Sequence, residues 1–598
     1  MKRIALLLLG ACAGNAPTEL PSPTPPPPWG VPISGGNLII TRDGTKAVIA
    51  DPDRDRIMTV LLAKGTTTEI PLAAHSEPGR LVEDAAGRVH VALRGSGELL
   101  TLTSSGTERR AVCPEPRGVA YDGASDLLHV ACTTGELVSL PAAGGPAVRT
   151  LHLDRDLRDV IVRGTDLVVT RFRSAEILTI DAAGTITSRQ SPPMVHRLDA
   201  IDTDLPPQPD PIMPEQTKSD TPATVAWRTI ALADGSILMS HQRRRTKELR
   251  VETGGYMDPT HCGDGMIESA ITLMHPDGTL TAVAPMLHST LPVDVAVNPA
   301  GTELTFVMAG TKTLSVLPVT ALAAHDDDEC GDPDDDDARA SSLSDDLGIP
   351  TSVAYAPDGS RVIYYPELPA LVIHPTQYLR PEDARTIRLP GPLGYDAGRA
   401  LFHRQTGAHL ACASCHPEGR DDGQVWAFAV GPRRTQNISG GVLARAPFHW
   451  NGDMYTLDQL MTEVFEGRMF GGVATHSERL SLGPWLDRIP APRAHAITDA
   501  DAVTRGEALF LAPEQACASC HMGENYTTNV LADVGTGGQF KVPSLVGVGA
   551  RAPYMHDGCA TTLRERFTPA CGGGEAHGHT AQLTSAQIAD LIAYLESL

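Results

Sequence analysis

The stretch PVDVAVNPAGTELTFV, residues 292–307, shows the plan on which most of this chain is built. A short run rich in β-branched residues leads into a turn containing Asn, Ala and Gly, and a second β-rich run follows. Turn residues of this kind between two such runs are typical of a β-hairpin. The stretch therefore predicts two neighbouring antiparallel strands.

The same plan recurs on both sides of this stretch. It appears at residues 37–51, 79–93, 117–131 and 350–365. The early copies lie about 40 residues apart, a period typical of propeller blades. We expect residues 35–378 to form an all-β propeller of about seven four-stranded blades, with insertions near 204–222 and 243–268. A β-solenoid is the alternative, although its repeats are usually shorter. The repeats resemble those of the YVTN and Ncl-type β-propellers, and this resemblance specifies no ligand.

A second pattern occurs twice beyond the predicted propeller, and it is Cys-x-x-Cys-His. Its residues are Cys412, Cys415 and His416 in the first copy and Cys517, Cys520 and His521 in the second. Two thiols three positions apart can add to both vinyl groups of one porphyrin, and the next histidine then lies under the iron as its proximal ligand. A thioredoxin-type pair needs no such histidine, and a zinc site needs two more ligands close by. We therefore expect two covalently bound c-type haems.

The N-terminus has the features of an export signal, which fits haem attachment outside the cytoplasm. Residues 1–11 combine a basic start, an apolar run and a small-residue end. The LGAC stretch at residues 9–12 resembles the lipobox of bacterial lipoproteins, so Cys12 is the expected lipidated residue. An ordinary secretory signal cut nearby is the alternative. Residues 12–34 are rich in proline and would form an extended tether. We expect a periplasmic or cell-surface lipoprotein, by default in the outer membrane of a Gram-negative bacterium.

Length and charge narrow the classes of partner. At 598 residues the chain has room for several domains. Its formal net charge of −23 argues against nucleic acid and anionic lipid surfaces as partners. The charge would suit a basic redox partner, such as a small cytochrome or a cupredoxin.

The 11 cysteines divide into one for lipid, four for haem and six others. In an oxidising compartment an even remainder indicates disulfides, although the sequence does not fix the pairing. In chain order the six fall as Cys113 with Cys132, Cys262 with Cys330, and Cys559 with Cys571.

An acidic run, HDDDECGDPDDDDARA at residues 325–340, lies near the end of the predicted propeller. Its carboxylates could bind calcium, which prefers several oxygen ligands. The ligand spacing matches no fixed calcium loop, so a solvated loop pinned by Cys330 is the favoured alternative.

The C-terminal part of the chain carries an internal duplication. Behind each Cys-x-x-Cys-His pattern comes Arg-Ala-Pro, an aromatic residue, a nearby His, a Gly and then Thr-Leu. Thr456 and Thr562 are candidate N-caps of the helices that follow. We therefore expect two mainly α cytochrome c domains, at residues 379–495 and 496–598.

These repeated segments resemble a known family. RAPFHWNGDMYTL at 445–457 and VPSLVGVGARAPYMHDGCATTL at 542–563 are similar to the signatures of the bacterial di-haem cytochrome c peroxidases and of the related enzyme that matures methylamine dehydrogenase. The resemblance covers about residues 390–598 and leaves out the propeller. It implies a peroxidase-like oxidoreductase in which Trp450 lies between the haems and relays electrons. Plain core packing is the alternative role for Trp450.

The sixth ligand of each iron decides between electron transfer and reaction with peroxide. For the first haem, Met469 in a Met-Phe-Gly-Gly loop is the favoured candidate, and packing is the alternative because Met is common in cores. Met454, Met461, His449 and His476 compete with it.

For the second haem the chain departs from the family pattern. The family's Met or Tyr ligand position corresponds to Ala570, which cannot bind iron. His577 and Met555 are the candidates that remain, together with His556 and His579. An exposed position is the alternative for His577, and a hydrogen-bonding role is the alternative for His556.

Peroxide chemistry also needs an acid–base group beside the open iron. The family places a Glu in its first domain, and Glu463 and Glu466 lie in the corresponding region. A solvated helix face is the alternative for both. The sequence thus supports an enzyme first, then an electron-transfer protein whose propeller docks a partner, and last a haem-based sensor.

Overall fold

The computed structural model of the chain describes most of its length. The described residues are 30–198, 218–257, 265–323 except 284 and 287, 339–342, 347–375, 383–494 and 497–598. Several predictions fall outside them and stay predictions: the signal peptide 1–11, Cys12, most of the tether 12–34, the pair Cys262 and Cys330, and most of the acidic run 325–340.

Residues 38–388 form seven four-stranded antiparallel sheets, each made of four consecutive strands. Blade 1 contains β1 (Leu38–Ile40), β2 (Lys46–Asp51), β3 (Arg56–Leu61) and β4 (Thr66–Pro71), and blade 2 contains β5 (Pro78–Glu83), β6 (Val89–Leu93), β7 (Glu98–Thr103) and β8 (Gly106–Ala111). Blade 3 contains β9 (Pro116–Asp122), β10 (Leu127–Cys132), β11 (Glu136–Pro141) and β12 (Arg149–His152), and blade 4 contains β13 (Leu157–Arg163), β14 (Asp166–Arg171), β15 (Ile177–Ile180) and β16 (Ile186–Gln190). A two-stranded ribbon follows, of β17 (Val195–Leu198) and β18 (Lys218–Thr221).

The remaining three blades complete the ring. Blade 5 contains β19 (Ala223–Ala231), β20 (Ile237–Arg244), β21 (Ile267–Met274) and β22 (Leu280–Ala282). Blade 6 contains β23 (Pro292–Val297), β24 (Glu303–Met308), β25 (Thr313–Pro318) and β26 (Arg339–Ser342). Blade 7 contains β27 (Ser352–Tyr355), β28 (Arg361–Tyr365), β29 (Ala370–His374) and β30 (Arg385–Arg388). Blade 7 packs on blade 1 through Val362 and Tyr364, which share a buried cluster with Leu38 and Ile49. The prediction of a seven-bladed propeller is confirmed.

The hairpin predicted from residues 292–307 pairs β23 with β24. Its turn is fixed by Asn298, whose carbonyl accepts the Gly301 N–H at 2.9 Å and whose Oδ1 accepts the Thr302 N–H at 2.9 Å. Gly301 has a φ of +68°, a left-handed conformation that glycine adopts at little cost. The last strand of blade 7, Arg385–Arg388, lies beyond residue 378, so the propeller extends further than the sequence predicted.

The rest of the chain is helical with two short ribbons. Besides short 3-10 turns, its helices are α1 (Ala397–His403), α2 (Cys412–Cys415), α3 (Leu457–Leu460), a π-helix (Met461–Arg468), α4 (His476–Asp487), α5 (Ala500–Leu511), α6 (Leu563–Arg566) and α7 (Ser585–Glu596). The ribbons pair β31 (Val425–Trp426) with β32 (Arg433–Arg434), and β33 (Leu531–Asp533) with β34 (Gln539–Lys541). In the described part of the chain, no helix has the length and apolar character needed to cross a membrane.

The duplication predicted from the sequence is visible in how the helices pack. α1 crosses α4 at Gly398, where an added Cβ would lie 2.6 Å from the Ser481 carbonyl oxygen. α5 crosses α7 at Gly506, where an added Cβ would lie 2.0 Å from the Asp590 carbonyl oxygen. Each Cys-x-x-Cys-His pattern follows the first helix of such a pair, so the region contains two similar helical units.

The first helical unit packs directly on the propeller. One buried cluster contains propeller residues such as Trp227 and residues of the unit such as Phe402 and Trp485. The segment after β20 also reaches over the unit, since the Gly254 N–H donates to the Gly467 carbonyl at 2.9 Å. The described part of the insertion predicted near 243–268 therefore belongs to this interface.

Candidate functional site

The first Cys-x-x-Cys-His pattern has two unpaired cysteines and a histidine fixed by a backbone hydrogen bond. Cys412 and Cys415 begin and end α2, and neither forms a disulfide. His416 follows, and its Nδ1 donates to the Arg420 carbonyl oxygen at 3.0 Å. A proton held on Nδ1 leaves Nε2 with its lone pair, which is the form of histidine that binds a metal. Burial also raises the pKa of Cys412 to about 12.

The second pattern repeats this arrangement. Cys517 and Cys520 are not paired in a disulfide, and His521 Nδ1 donates to the Tyr526 carbonyl oxygen at 3.1 Å. Burial lowers the pKa of His521 to about 4, so its ring is neutral at pH 7. Among the residues that the structure describes, no group of three or more His, Cys, Asp or Glu side chains is arranged so that it could hold a metal ion.

His577 faces the proximal histidine of the second pattern. The rings of His521 and His577 have centres 6.4 Å apart and planes inclined by 36°. Within the described residues, Nδ1 of His577 is buried and has no hydrogen-bond partner. Burial lowers the pKa of His577 to about 3, so this ring is also neutral. A neutral imidazole that has an unpartnered ring nitrogen, and whose ring centre lies 6.4 Å from that of His521, fits an iron between the two rings.

The loop that carries His577 is anchored at both ends. The structure pairs Cys559 with Cys571, and the His579 N–H donates to the Gln515 carbonyl oxygen at 3.1 Å. At Gly578 an added Cβ would lie 3.8 Å from the Cys517 Sγ atom, so the loop passes close to the attachment cysteine. These contacts place His577 at the second pattern.

Of the other candidates for the second haem, Met555 is half-buried in the turn before Gly558. The ring of His556 stacks on Phe540 with centres 3.8 Å apart. His579 is exposed beside Glu575, whose Oε2 lies 3.4 Å from its Nδ1.

Around the first pattern, two types of side chain compete for the distal position. Met469 directly follows the π-helix and is buried. Its carbonyl oxygen accepts the N–H of Ala408, four residues before Cys412, at 3.1 Å. His449 lies close enough to His416 to lower its pKa, which burial lowers most. Nδ1 of His449 is 3.2 Å from Asp453 Oδ1. The structure therefore keeps both Met469 and His449 as candidates.

The remaining candidates for the first haem differ in exposure. Met454 and Met461 are fully buried, and Met454 pairs with Phe448 in an isolated β-bridge. His476 is exposed at the first position of α4.

The two predicted acid–base residues lie on the π-helix and have other contacts. Glu463 is exposed, and its Oε1 accepts a hydrogen bond from Gln459 at 2.9 Å. Glu466 Oε1 accepts the Ala474 N–H at 2.7 Å and pairs with Arg479 at 2.6 Å. The carboxylate of Glu466 thus fastens the loop before α4.

Trp450 lies where the two helical units meet. Its Nε1–H donates to the Arg434 carbonyl oxygen at 2.7 Å, and its own carbonyl accepts the Lys541 N–H at 2.8 Å. The ring is half-buried, and its centre is 6.3 Å from that of His556 in the second unit. Trp450 therefore contacts both units.

The arginines behind the first pattern have partners of their own. Arg434 is buried and pairs with Asp421 at 2.9 Å, while Arg433 stacks over the ring of Phe540 at 5.1 Å. The structure also pairs Cys113 with Cys132 inside the propeller.

Sequence reasoning missed a group of ion pairs between the propeller and the first pattern. Glu418, two residues beyond His416, is buried among three propeller arginines: Arg94, Arg117 and Arg158. A signal for such a group exists in the sequence. An arginine recurs in the innermost strands of blades 2 to 5: Arg80, Arg117, Arg158 and Arg228.

Comparison with known proteins agrees with this site. The cytochrome c family model matches residues 503–598, which contain Cys517, Cys520 and His521. A cytochrome c domain of this kind binds a c-type haem covalently, and its chemistry is electron transfer. The chain is thus a seven-bladed β-propeller followed by a cytochrome c region.

Individual relatives are distant. The gamma subunit of hydrazine synthase from Kuenenia stuttgartiensis is 24% identical over 254 residues, covering 31% of this chain and 72% of the relative. A solved structure of Kuenenia stuttgartiensis hydrazine synthase is 14% identical with a TM-score of 0.43, covering 63% of this chain and 99% of that chain. A streptogramin B lyase structure is 13% identical with a TM-score of 0.37, covering 57% and 93%.

Proposed function

We propose that this protein is an exported di-haem c-type cytochrome, a peroxidase-like oxidoreductase that passes electrons between its two haems. The observation that carries the proposal is the repeated site: His416 and His521 each donate Nδ1–H to a backbone carbonyl, and Trp450 contacts both units. Cys412 and Cys415 would hold one haem, and Cys517 and Cys520 the other. When bound, the haems supply one-electron chemistry.

The second haem is proposed as the electron-transfer centre. Two imidazoles that share one metal ion through bonds of about 2 Å have ring centres roughly 6 Å apart. The separation of 6.4 Å between His521 and His577 fits this requirement. An iron with two strong protein ligands is saturated and exchanges electrons without binding substrate.

The first haem is proposed as the reactive centre, with His416 as its proximal ligand. Met469 or His449 would bound its distal side, and a displaceable ligand there would admit peroxide. The name of one relative supports an enzyme, because hydrazine synthase is a synthase and its gamma subunit is similar to this chain. Glu463 or Glu466 would have to leave its present contacts to serve as the proton-transferring acid.

An electron carrier is the second candidate, and one observation favours it. Glu466 is engaged by Arg479 and by the Ala474 N–H, and Glu463 is exposed. Without a positioned acid the first iron would only relay electrons. In either case we propose a basic redox partner, such as a small cytochrome or a cupredoxin, because the chain carries a net charge of −23.

Export and anchoring belong to the same proposal. We propose lipidation at Cys12 and a periplasmic or cell-surface location on the outer membrane. Expression of a Cys12→Ser variant in a Gram-negative host would test this, and we expect the variant to move from the membrane fraction to the soluble fraction.

Electron paramagnetic resonance tests the proposed function. Spectra of the purified protein, oxidised and half-reduced, would be recorded before and after peroxide is added. A high-spin signal that peroxide consumes supports the enzyme. Two low-spin haems that ignore peroxide in both states overturn it and leave the electron carrier.

Variants of the second site identify its ligand. His577→Ala should convert the second haem from low-spin to high-spin, because it removes one of two axial ligands. Met555→Ala is the matched control and should leave the spectrum unchanged. If Met555→Ala causes the conversion and His577→Ala does not, the assignment of His577 is wrong.

A further inference from the structure

Glu418 joins the first haem-attachment pattern to the axis of the propeller. It lies two residues beyond His416, has a left-handed backbone with φ +54° and is only 4% exposed. A non-glycine residue rarely adopts this conformation unless surrounding contacts fix it. The contacts that fix Glu418 come from the propeller.

Three arginines from three consecutive blades bind its carboxylate. Arg158 Nη1 is 2.6 Å from Oε1, Arg117 Nη2 is 2.9 Å from Oε2, and Arg94 Nη2 is 3.0 Å from Oε2. Arg117 and Arg158 belong to the innermost strands of blades 3 and 4, and Arg94 directly follows β6 in blade 2. All three side chains are nearly buried, so these charges are weakly screened by solvent.

The neighbours of Glu418 are fastened to the propeller as well. Arg420 Nη1 is 3.0 Å from Oε1 of Glu115, which precedes blade 3. Asp421 Oδ1 is 2.8 Å from Nη1 of Arg173, which follows β14. The Arg420 carbonyl thus lies between two consecutive residues, Arg420 and Asp421, whose side chains are both held by propeller residues.

That carbonyl is the acceptor for the proximal histidine, since His416 Nδ1 donates to it at 3.0 Å. In the second pattern the corresponding acceptor is the Tyr526 carbonyl, and Tyr526 is held inside its own unit by a hydroxyl contact with Tyr594 at 3.4 Å. The two proximal histidines therefore differ in what positions them. Groups that bond the far nitrogen of a ligating histidine fix its orientation and tune the metal.

We propose that Glu418, held by Arg117, Arg158 and Arg94, is a positioning residue through which the propeller orients His416 and sets the reduction potential of the first haem. This inference rests on the proposed function, because it requires a haem at Cys412 and Cys415. It gives the propeller a role inside the redox protein. The face of the propeller that carries Arg94, Arg117 and Arg158 then binds the first helical unit of the same chain and is covered by it.

The Glu418→Gln variant of the full-length holoprotein tests this role. The change removes a buried negative charge beside the first haem and weakens the hold on the Arg420 carbonyl. Both effects disfavour the oxidised, more positive iron, so the midpoint potential of the first haem should rise. The potential of the second haem should not change. Glu303→Gln is the matched control, because Glu303 pairs with Arg361 within the propeller.

A second variant covers the case in which Glu418→Gln does not fold. Arg94 is the most exposed of the three arginines, with 13% of its side chain accessible, so Arg94→Gln is the milder change. It loosens the hold on Glu418, and so on the Arg420 carbonyl, which should raise the potential of the first haem, whereas the loss of a positive charge acting alone would lower it. Spectroelectrochemical titration of each variant gives both potentials.

The outcomes separate the inference from the proposed function. Intact-protein mass shows first whether both haems are attached, and a wild-type chain with one haem overturns the di-haem proposal. If both haems are present and neither variant shifts the first potential, the positioning role is wrong and Glu418 only joins the two domains. A rise of the first potential in both variants, with the second potential unchanged, supports the positioning role, and opposite shifts overturn it because they show the charges acting on the haem without positioning His416.

Discussion

The indole ring of Trp450 and the imidazole ring of His556 have centres 6.3 Å apart and planes inclined by 69°. Trp450 belongs to the first helical unit and His556 to the second, so this edge-on contact joins the two. The backbone reinforces it, because the Arg434 N–H donates to the His556 carbonyl at 2.7 Å. We expect electrons that pass between the two units to cross at this contact.

Replacing Trp450 tests whether this path carries electrons. Trp450→Ala should slow electron transfer between the haems at least several-fold, because it removes the ring that contacts both units. Trp450→Phe should slow it less, since an aromatic ring remains while the hydrogen bond to Arg434 is lost. Pulse radiolysis of the holoprotein, followed at the haem absorption bands, measures the rate.

Trp485→Phe is the control for this experiment. Trp485 is fully buried, and its Nε1–H donates to the Gly30 carbonyl at 2.6 Å, away from the junction of the units. Its replacement should leave the rate unchanged. Equal rates in wild type and Trp450→Ala would mean that Trp450 is a packing residue.

The parts of the fold that follow from local sequence could be predicted. The turn at Asn298–Gly301 and the N-caps Thr456 and Thr562 depend on neighbouring residues, and each cap oxygen accepts the N–H three residues on. The haem patterns are equally local, because both thiols and the histidine lie within five positions. Because the same hairpin pattern recurs along the chain, the ring of blades could be predicted as well.

Features that depend on long-range packing could not be predicted. Several Met and His residues follow each pattern at similar spacing, and only tertiary structure brings His577 to His521. Glu418 is a single charge in the sequence, and its partners lie about 260 to 324 positions away. The arginines that recur in the innermost strands indicate a cluster of positive charge, but no sequence spacing pairs that cluster with Glu418.

The Cys559–Cys571 disulfide anchors the start of the loop that carries His577. The double variant Cys559→Ser, Cys571→Ser should keep both haems attached but increase the high-spin fraction of the second haem, because the loop gains conformational freedom. Electron paramagnetic resonance of the oxidised holoprotein measures this fraction.

The propeller provides a matched control for the loss of a disulfide. Cys113→Ser with Cys132→Ser removes a bond of similar loop length, 19 residues against 12. This variant should leave the spectra of both haems unchanged. If both double variants alter the spectrum equally, the effect is on overall folding and His577 has no special part in it.

The close helix crossing at Gly506 predicts a stability effect. An added Cβ would lie 2.0 Å from the Asp590 carbonyl oxygen, so α5 and α7 must separate to admit it. Gly506→Ala should destabilise the second unit by about 2 kcal/mol, after the better helix propensity of alanine is counted. Urea unfolding followed at the haem band measures it. Gly123→Ala, whose added Cβ would lie 3.6 Å from the Tyr121 ring, is the control and should be tolerated.

His403 predicts how stability depends on pH. It is buried in α1, its Nδ1 donates to the Arg399 carbonyl at 2.8 Å, and its Nε2 accepts the Ile33 N–H at 3.2 Å. Burial, together with the charge of Arg399, lowers its pKa from 6.5 to about 3. The folded state therefore binds fewer protons than the unfolded state between these values.

Stability from His403 is thus fully present above pH 6.5 and is lost as the pH falls toward 3. Protonation of Nε2 would also replace the accepted hydrogen bond from Ile33 by repulsion between two donors. His403→Gln should reduce the slope of unfolding free energy against pH, between about pH 6 and 4, by up to about 1.4 kcal/mol per unit. Urea unfolding followed by far-ultraviolet circular dichroism across this range measures the slope. His152→Gln, at an exposed histidine, is the control, and an unchanged slope in His403→Gln would show that His403 does not couple folding to protons.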